Sequence, residues 1–432
     1  MKIIGIYLLT LTTLLCSLSL SGQELTANVA SVDMTPSLKL KASLGGYGDR
    51  MSKPAEGVHD RIWAKAVVLQ KGDTKYAIVT IDVLALPPNV KPQLVKMLAS
   101  AEWSEDNIML LASHSHTSFD MTALNNMNHI NSPQIGIFQP EVLEHLLNTL
   151  TKAIKEANQN LQPVSIGTGK AIVEGMNRNR RGEPAVDKNL TVTRIDFKNG
   201  KPMALLVNWT AHPTFMSEDD MCFSGGWPGY LQRELQQWIG DDITVMYYNG
   251  AEGDQSPIGE SVKSHYEKAE LYGRAMAIKA YDIYKTIETK PNVKFNYSFN
   301  HIELPERKVH PSFMETGGKE YNLTPEVLNA ILNVMSPAST SIGAVRIGEL
   351  LIVGVPGELA ADLGLHVKDE LMSNGIKYPT IGGLANEWIS YILSSEQYNN
   401  GAGYESSVSF FGDGLGEVIV KGMIDTSLVL TK

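Results

Sequence analysis

Apolar residues along this chain fall into two patterns. Short unbroken runs rich in Val, Ile, Leu and Tyr cover Ala77–Val83, Asn107–Ala112, Met203–Trp209, Thr244–Tyr248 and Leu350–Val355. Runs of that length and composition predict buried strands. Longer stretches with a spaced apolar stripe cover Pro140–Asn158, Trp227–Trp238, Ser264–Thr286 and Leu359–Met372. In the third stretch Leu271, Ala275, Ile278 and Asp282 share one mostly apolar face; in the fourth, Leu359, Leu363, Val367 and Leu371 do the same. These predict amphipathic helices. Strands alternating with helices imply an α/β architecture. From Pro291 to Leu304 Val, Phe and Tyr alternate with polar residues, the period of an antiparallel strand, so the expected core is a mixed sheet with flanking helices. The chain shows no internal repeat and no long linker.

The predicted strands end in polar residues. Asn107–Ala112 runs into His114 and His116, and Met203–Trp209 into "TAHPT" with His212. Thr244–Tyr248 runs into "NGAEGDQSP" with Asp254 and Ser256, and Leu350–Val355 into "PGE" with Glu358. Open α/β sheets bind ligands beyond the carboxyl ends of their strands. In an extended chain the His-x-His spacing puts both rings on one face. Each residue has an ordinary structural use too: a satisfied core histidine, a carboxylate at a helix start, a serine capping a turn. Taken together, two histidines and a glutamate are the donor set of a catalytic zinc site, which keeps one position open for water.

The first 22 residues read as a secretory signal: Lys2, then the apolar run "IIGIYLLTLTTLLCSLSL", then small residues. The expected division is therefore residues 1–22 as leader and 23–432 as a single domain, exported to the periplasm or medium. Cys16 sits in a weak lipoprotein-like context, because Leu15 replaces the small residue expected before it. Without the leader only Cys222 remains, so neither an intramolecular disulfide nor a cysteine-built metal site is expected. A net charge of −10 argues against a nucleic-acid partner, which selects a basic face.

Six stretches, in order, resemble the neutral (alkaline, non-lysosomal) ceramidase family. They are "ASHSHTS", "NRNRR" at 177–181, "NWTAHPT" at 208–214, "EGDQSP" at 252–257, "VPGE" at 355–358, and "NEWISYILSSEQY" followed by "GAGYESS". The resemblance implies the family's catalytic-domain fold and, residue by residue, its site. His114, His212, Glu358 and Tyr391 match the ligands of a Zn2+ ion; His116, Arg180 and Tyr404 match residues around the amide carbonyl; Ser256 matches the serine of the signature motif. The implied reaction is hydrolysis of the N-acyl bond of ceramide or a related lipid, by zinc-activated water or by Ser256. Ser256 is either that nucleophile or a holder of the substrate hydroxyl. A lipid substrate also implies peripheral contact with a membrane.

The chain departs from the family after His116, where "TSFDMTA" replaces a glycine-rich loop, and around "CFSGGWPGY". Little sequence follows Gly416, so the C-terminal β-sandwich of large members is not expected here. Two alternatives stay open: a hydrolase of the same fold acting on a non-lipid amide or ester, and a secreted binding protein without turnover.

Overall fold

Eight strands build the larger of two main sheets: β1 (Thr26–Asp33), β2 (Trp63–Lys71), β3 (Thr74–Ile81), β4 (Ile108–Ala112), β5 (Gln162–Ile172), β6 (Asn189–Phe197), β7 (Pro202–Trp209) and β8 (Thr244–Asn249). Their order is β8-β7-β6-β5-β1-β2-β3-β4. Only the outer pairs, β8 with β7 and β3 with β4, are parallel; the middle of the sheet is antiparallel. The β2–β3 hairpin shows how the sequence sets this register. Lys71 pairs with Thr74 across the two-residue turn Gly72–Asp73, and Gly72 takes φ +61°, as a tight hairpin turn requires. This computed structural model describes residues 23–400 and 403–431. The expected leader, with Lys2 and Cys16, lies outside the described residues.

A second sheet of β9 (Phe295–Glu303), β10 (Ser339–Ile347), β11 (Leu350–Gly354) and β12 (Tyr378–Gly382) packs face to face with the first. Val67, Ile78, Met109 and Met246 of one sheet meet Val345, Leu350 and Ile352 of the other in one continuous core. The outer faces are covered by helices. On the large sheet these are α1 (Val90–Leu98), α2 (Pro140–Ala157), α3 (Gly226–Ile239) and α4 (His265–Tyr284). On the small sheet they are α5 (Pro325–Met335), α6 (Ala361–Ser373) and α7 (Leu415–Leu428). The layers therefore run helix, sheet, sheet, helix, and the α/β mixed-sheet expectation holds.

Two features of the large sheet decide where the site lies. It curls so far that Lys65 of β2 donates to the Val245 carbonyl of β8 at 2.8 Å, although four strands separate them in the sheet order. The curl brings the ends of β4, β7 and β8 towards each other. The open edge of β4 is covered as well: Asn386 exchanges hydrogen bonds with the Leu110 backbone, which removes an unpaired edge and carries the segment after β12 to the same place. Among the described residues no helix is long and apolar enough to cross a membrane.

The predicted elements sit where the pattern put them, within about four residues at the ends. One differs in kind at its start. Glu358 does not begin a helix: Glu358–Leu359 is a two-residue strand paired with Tyr391–Ile392, and α6 begins at Ala361.

One buried cation in the core is costly. Lys91 is 3% exposed, and its ammonium has no hydrogen-bond partner. Burial pushes it down to about 8 from an ordinary 10.5, against the opposing pull of Glu105, Glu387 and Asp106. Between these two pH values the unfolded chain holds more protons than the folded one, so stability rises with pH across that window. Below about 8 the folded chain carries the penalty in full. Lys91→Met is therefore expected to stabilise the protein at pH 7 by up to about 3 kcal/mol. The gain should vanish near pH 10.5, as read from denaturant unfolding at both pH values.

Candidate active site

The carboxyl end of β4 supplies the first two imidazoles, though not by strand alternation. The strand stops at Ala112, and His114 adopts a left-handed backbone, φ +67°. That bend, rather than an extended run, turns His114 towards His116; their Nε2 atoms lie 3.3 Å apart. Arg50, 2% exposed, donates to the carbonyls of Gly45 and His116 and so pins this turn from below. Gly46 packs flat on the His116 ring, where a Cβ would lie 2.5 Å from Nδ1.

β7 supplies His212. Asn208 and Asn249 lace the ends of β7 and β8 together through their side-chain amides, and the His212 amide donates to the Gln255 carbonyl at 2.9 Å. The imidazole then meets Glu358, with Nε2 3.0 Å from Oε2. His114 Nε2 lies 3.4 Å from the same oxygen. The other carboxylate oxygen of Glu358 accepts the Trp388 indole N–H at 2.8 Å.

The far ring nitrogens fix the tautomers. His114 Nδ1 faces the Leu84 carbonyl at 2.8 Å, and His212 Nδ1 faces the Glu252 carbonyl at 2.7 Å. A backbone carbonyl can only accept, so each Nδ1 carries its proton and each Nε2 presents a lone pair to the centre. That is the arrangement of metal-bound histidine. Burial pushes the His212 imidazole down to about 4, with Arg180 adding to the effect and Glu358 opposing it. Burial also holds His116 well below the ordinary range, helped by His114 and His212. Burial alone would raise Glu358, but the neighbouring imidazoles hold it well below the carboxylate range. Neutral His212 and His116 beside an ionised carboxylate are the protonation states that a metal requires. The donor atoms of His114, His116 and His212 all lie within 4.8 Å of one another, so the residues present fit a metal ion.

Tyr391 reaches the cluster through its pairing with Glu358. Its hydroxyl oxygen accepts from Arg180 Nη2 at 3.0 Å. Arg180 follows the short strand Asn177–Asn179 and also donates to the Gly253 carbonyl at 2.9 Å and to Glu405 at 2.5 Å. Tyr404 stands edge-on to Tyr391, ring centroids 5.8 Å apart, and its hydroxyl is 3.4 Å from that of Tyr321. Burial pushes both Tyr391 and Tyr404 well above the ordinary tyrosine range.

Seven of the eight expected site residues, namely His114, His116, Arg180, His212, Glu358, Tyr391 and Tyr404, line one cavity of about 440 Å3. Ser256 does not. It lies in the strand Gln255–Pro257, opposite the exposed Arg178, which puts both side chains on the outward face of that ladder. Asp254 is structural: it accepts from Asn179, Gln255 and the Ala361 amide, joining three segments under the site.

Above the polar floor the cavity wall is mostly apolar, with Leu84, Phe313, Leu328, Leu332, Trp388 and Phe410 among its residues. Asp120, Met121 and Thr122, from the stretch where the sequence departs from the family pattern, form part of the same wall. Arg50, Glu252, Trp388 and the whole of α5 were missed in the sequence. Trp388 lay inside a motif read only for its tyrosine, and Glu252 lay two residues before Asp254.

The family model for neutral/alkaline non-lysosomal ceramidase, N-terminal, matches residues 27–257. The neutral ceramidase of Pseudomonas aeruginosa is 20% identical over 85% of this chain and 66% of its own length. Neutral ceramidase B of Dictyostelium discoideum is 21% identical over 86% of this chain and 68% of its own. The chain thus spans about two thirds of these relatives. The crystal structure of the Pseudomonas aeruginosa neutral ceramidase superposes with a TM-score of 0.81 at 18% identity, covering 95% of this chain and 75% of that one. A ceramidase complexed with C2 gives 0.78, also at 18% identity, over 94% and 75%.

Proposed function

The chain belongs to the neutral/alkaline non-lysosomal ceramidase family, and from that premise we propose that it is an exported zinc-dependent amidase that hydrolyses the N-acyl bond of ceramide or a related N-acyl lipid. The observation that carries this reading is the cavity: an apolar wall descends to a floor of three imidazoles, a carboxylate and an arginine. An apolar slot suits an acyl chain, and a closed polar pocket would have suited a small soluble amide. Export rests on the leader alone.

His114, His212, Glu358 and Tyr391 would hold the metal. A bound zinc ion supplies a Lewis acid and brings the pKa of water towards about 7. The remaining roles belong to the chain. His116 offers a ring nitrogen at the cluster to take a proton from the attacking water and return it to the departing amine. Arg180 and Tyr404 face the position where the carbonyl oxygen gains charge. Trp388 keeps Glu358 from rotating. One water is consumed: its oxygen ends on the acyl carbon, the C–N bond breaks, and the nitrogen gains a proton. We assign the attack to water rather than to Ser256, since Ser256 does not line the cavity.

The test is fatty-acid release by the purified chain from ceramide, other N-acyl lipids and short soluble amides. Release from ceramide that a chelator abolishes and zinc restores is the expected result. Turnover confined to the soluble amides would overturn the lipid substrate. Zinc binding without turnover on any of them would favour a binding protein.

A further inference from the structure

Glu252 has no role in the reading above, yet it is the least satisfied acid near the site. It follows the end of β8 and is fully buried, and neither carboxylate oxygen has a hydrogen-bond partner. The geometry points to Glu252 as a further ligand of the metal, a second carboxylate joining His114, His212 and Glu358. This rests on the metal-site reading of the preceding section.

Three observations support it. The donor atoms of Glu252, His114 and Glu358 lie within 4.8 Å of one another. Two ligands each about 2.0–2.2 Å from a zinc ion are at most about 4.4 Å apart, so a small inward movement brings them onto one ion. Second, a buried acid with neither oxygen hydrogen-bonded is costly whether ionised or neutral, and a ligated cation would relieve it. The neighbouring cation is Arg180, and its donors go to Glu405, the Gly253 carbonyl and Tyr391. A divalent ion would balance Glu252 and Glu358 together. Third, the residue is held in place. Its carbonyl accepts from His212 Nδ1, and its Oε2 packs so closely on Gly383 that a Cβ there would approach to 2.4 Å. Glu252 is not part of the cavity wall, so it reaches the ion from behind and leaves the substrate side open.

Zinc affinity of the purified chain, measured by competition with a chromophoric chelator, tests this for wild type, Glu252→Gln and Glu252→Asp, alongside absorption spectra of the cobalt(II)-loaded proteins. Glu252→Gln is expected to weaken zinc binding by more than the about 10- to 100-fold that follows loss of an outer-shell partner. It should also change the cobalt spectrum. Glu252→Asp keeps the charge on a shorter arm and should fall between, which preserves the test if the glutamine variant fails to fold. An unchanged affinity overturns the proposal, and so does a modest loss with an unchanged cobalt spectrum, which would make Glu252 a support for His212 only. If wild type itself binds neither zinc nor cobalt, the metal-site reading falls and this one with it.

Discussion

His212→Ala is expected to lose zinc retention and amide hydrolysis together. The imidazole it removes is 1% exposed and stands 3.0 Å from Glu358 Oε2. Its far nitrogen is held by a backbone carbonyl, which fixes the orientation of the nitrogen that the substitution removes. Losing an outer-shell partner costs about 10- to 100-fold in metal affinity, and losing a ligand costs more. Hydrolysis should fall beyond the about 10²–10³-fold that follows removal of one oxyanion donor, because a bound zinc ion would activate the water as well as the carbonyl. Metal content by mass spectrometry and fatty-acid release from ceramide give the two readings on one preparation. A variant that keeps its zinc and loses activity would move His212 from the metal to the substrate. A variant that keeps both would remove it from the site. Circular dichroism and a melting curve guard against a folding defect, since buried Glu358 loses one of its two imidazole partners.

How far such a site can be read from sequence depends on where each residue gets its position. His114, His116, His212 and Glu358 follow buried strands whose apolar runs are plain in the chain, so the rule that ligands gather beyond strand ends found them. The detail was less legible. His-x-His converges through a left-handed residue at 114, which strand periodicity does not foresee. Tyr391, Tyr404 and Arg180 rest on two- to four-residue elements that carry no periodic signal, and only the family resemblance pointed to them. The antiparallel middle of the large sheet, β1, β2, β5 and β6, was not singled out as strands. Its polar residues, such as Lys65 buried against Gln232 and Val245, interrupt the apolar runs that mark strands. Ser256 shows the opposite failure. The motif around it is present, but its place in the ladder opposite Arg178 turns it outward, and a motif does not encode the face a strand presents. Glu252 was overlooked because its meaning depends on what fails to surround it, and an unpartnered carboxylate is visible only in three dimensions.

Arg180→Met is expected to cost stability and catalysis for separable reasons. The guanidinium is the hub between Glu405, the Gly253 carbonyl and Tyr391. Burial would lower its pKa, but Tyr391, Glu405 and Glu358 outweigh that and raise it, so it remains a cation at any working pH. Glu405 is 5% exposed. Without Arg180 it keeps only Arg181, 3.5 Å away, and breaking a buried pair by removing one partner costs about 3–5 kcal/mol. In the proposed mechanism the catalytic loss has a different source: the donor assigned to the developing oxyanion disappears, at about 10²–10³-fold in kcat. Pairing the change with Glu405→Gln separates the two. In Arg180→Met/Glu405→Gln the stranded carboxylate is gone, so most of the stability should return while kcat stays low. Arg180→Lys should keep the charge and the fold. It should still lose part of kcat, because an ammonium cannot match a planar fork that serves Tyr391 and Glu405 at once. Full recovery of kcat in the double variant would show that Arg180 acts only by holding Glu405, and the oxyanion role would pass to Tyr404 and the metal.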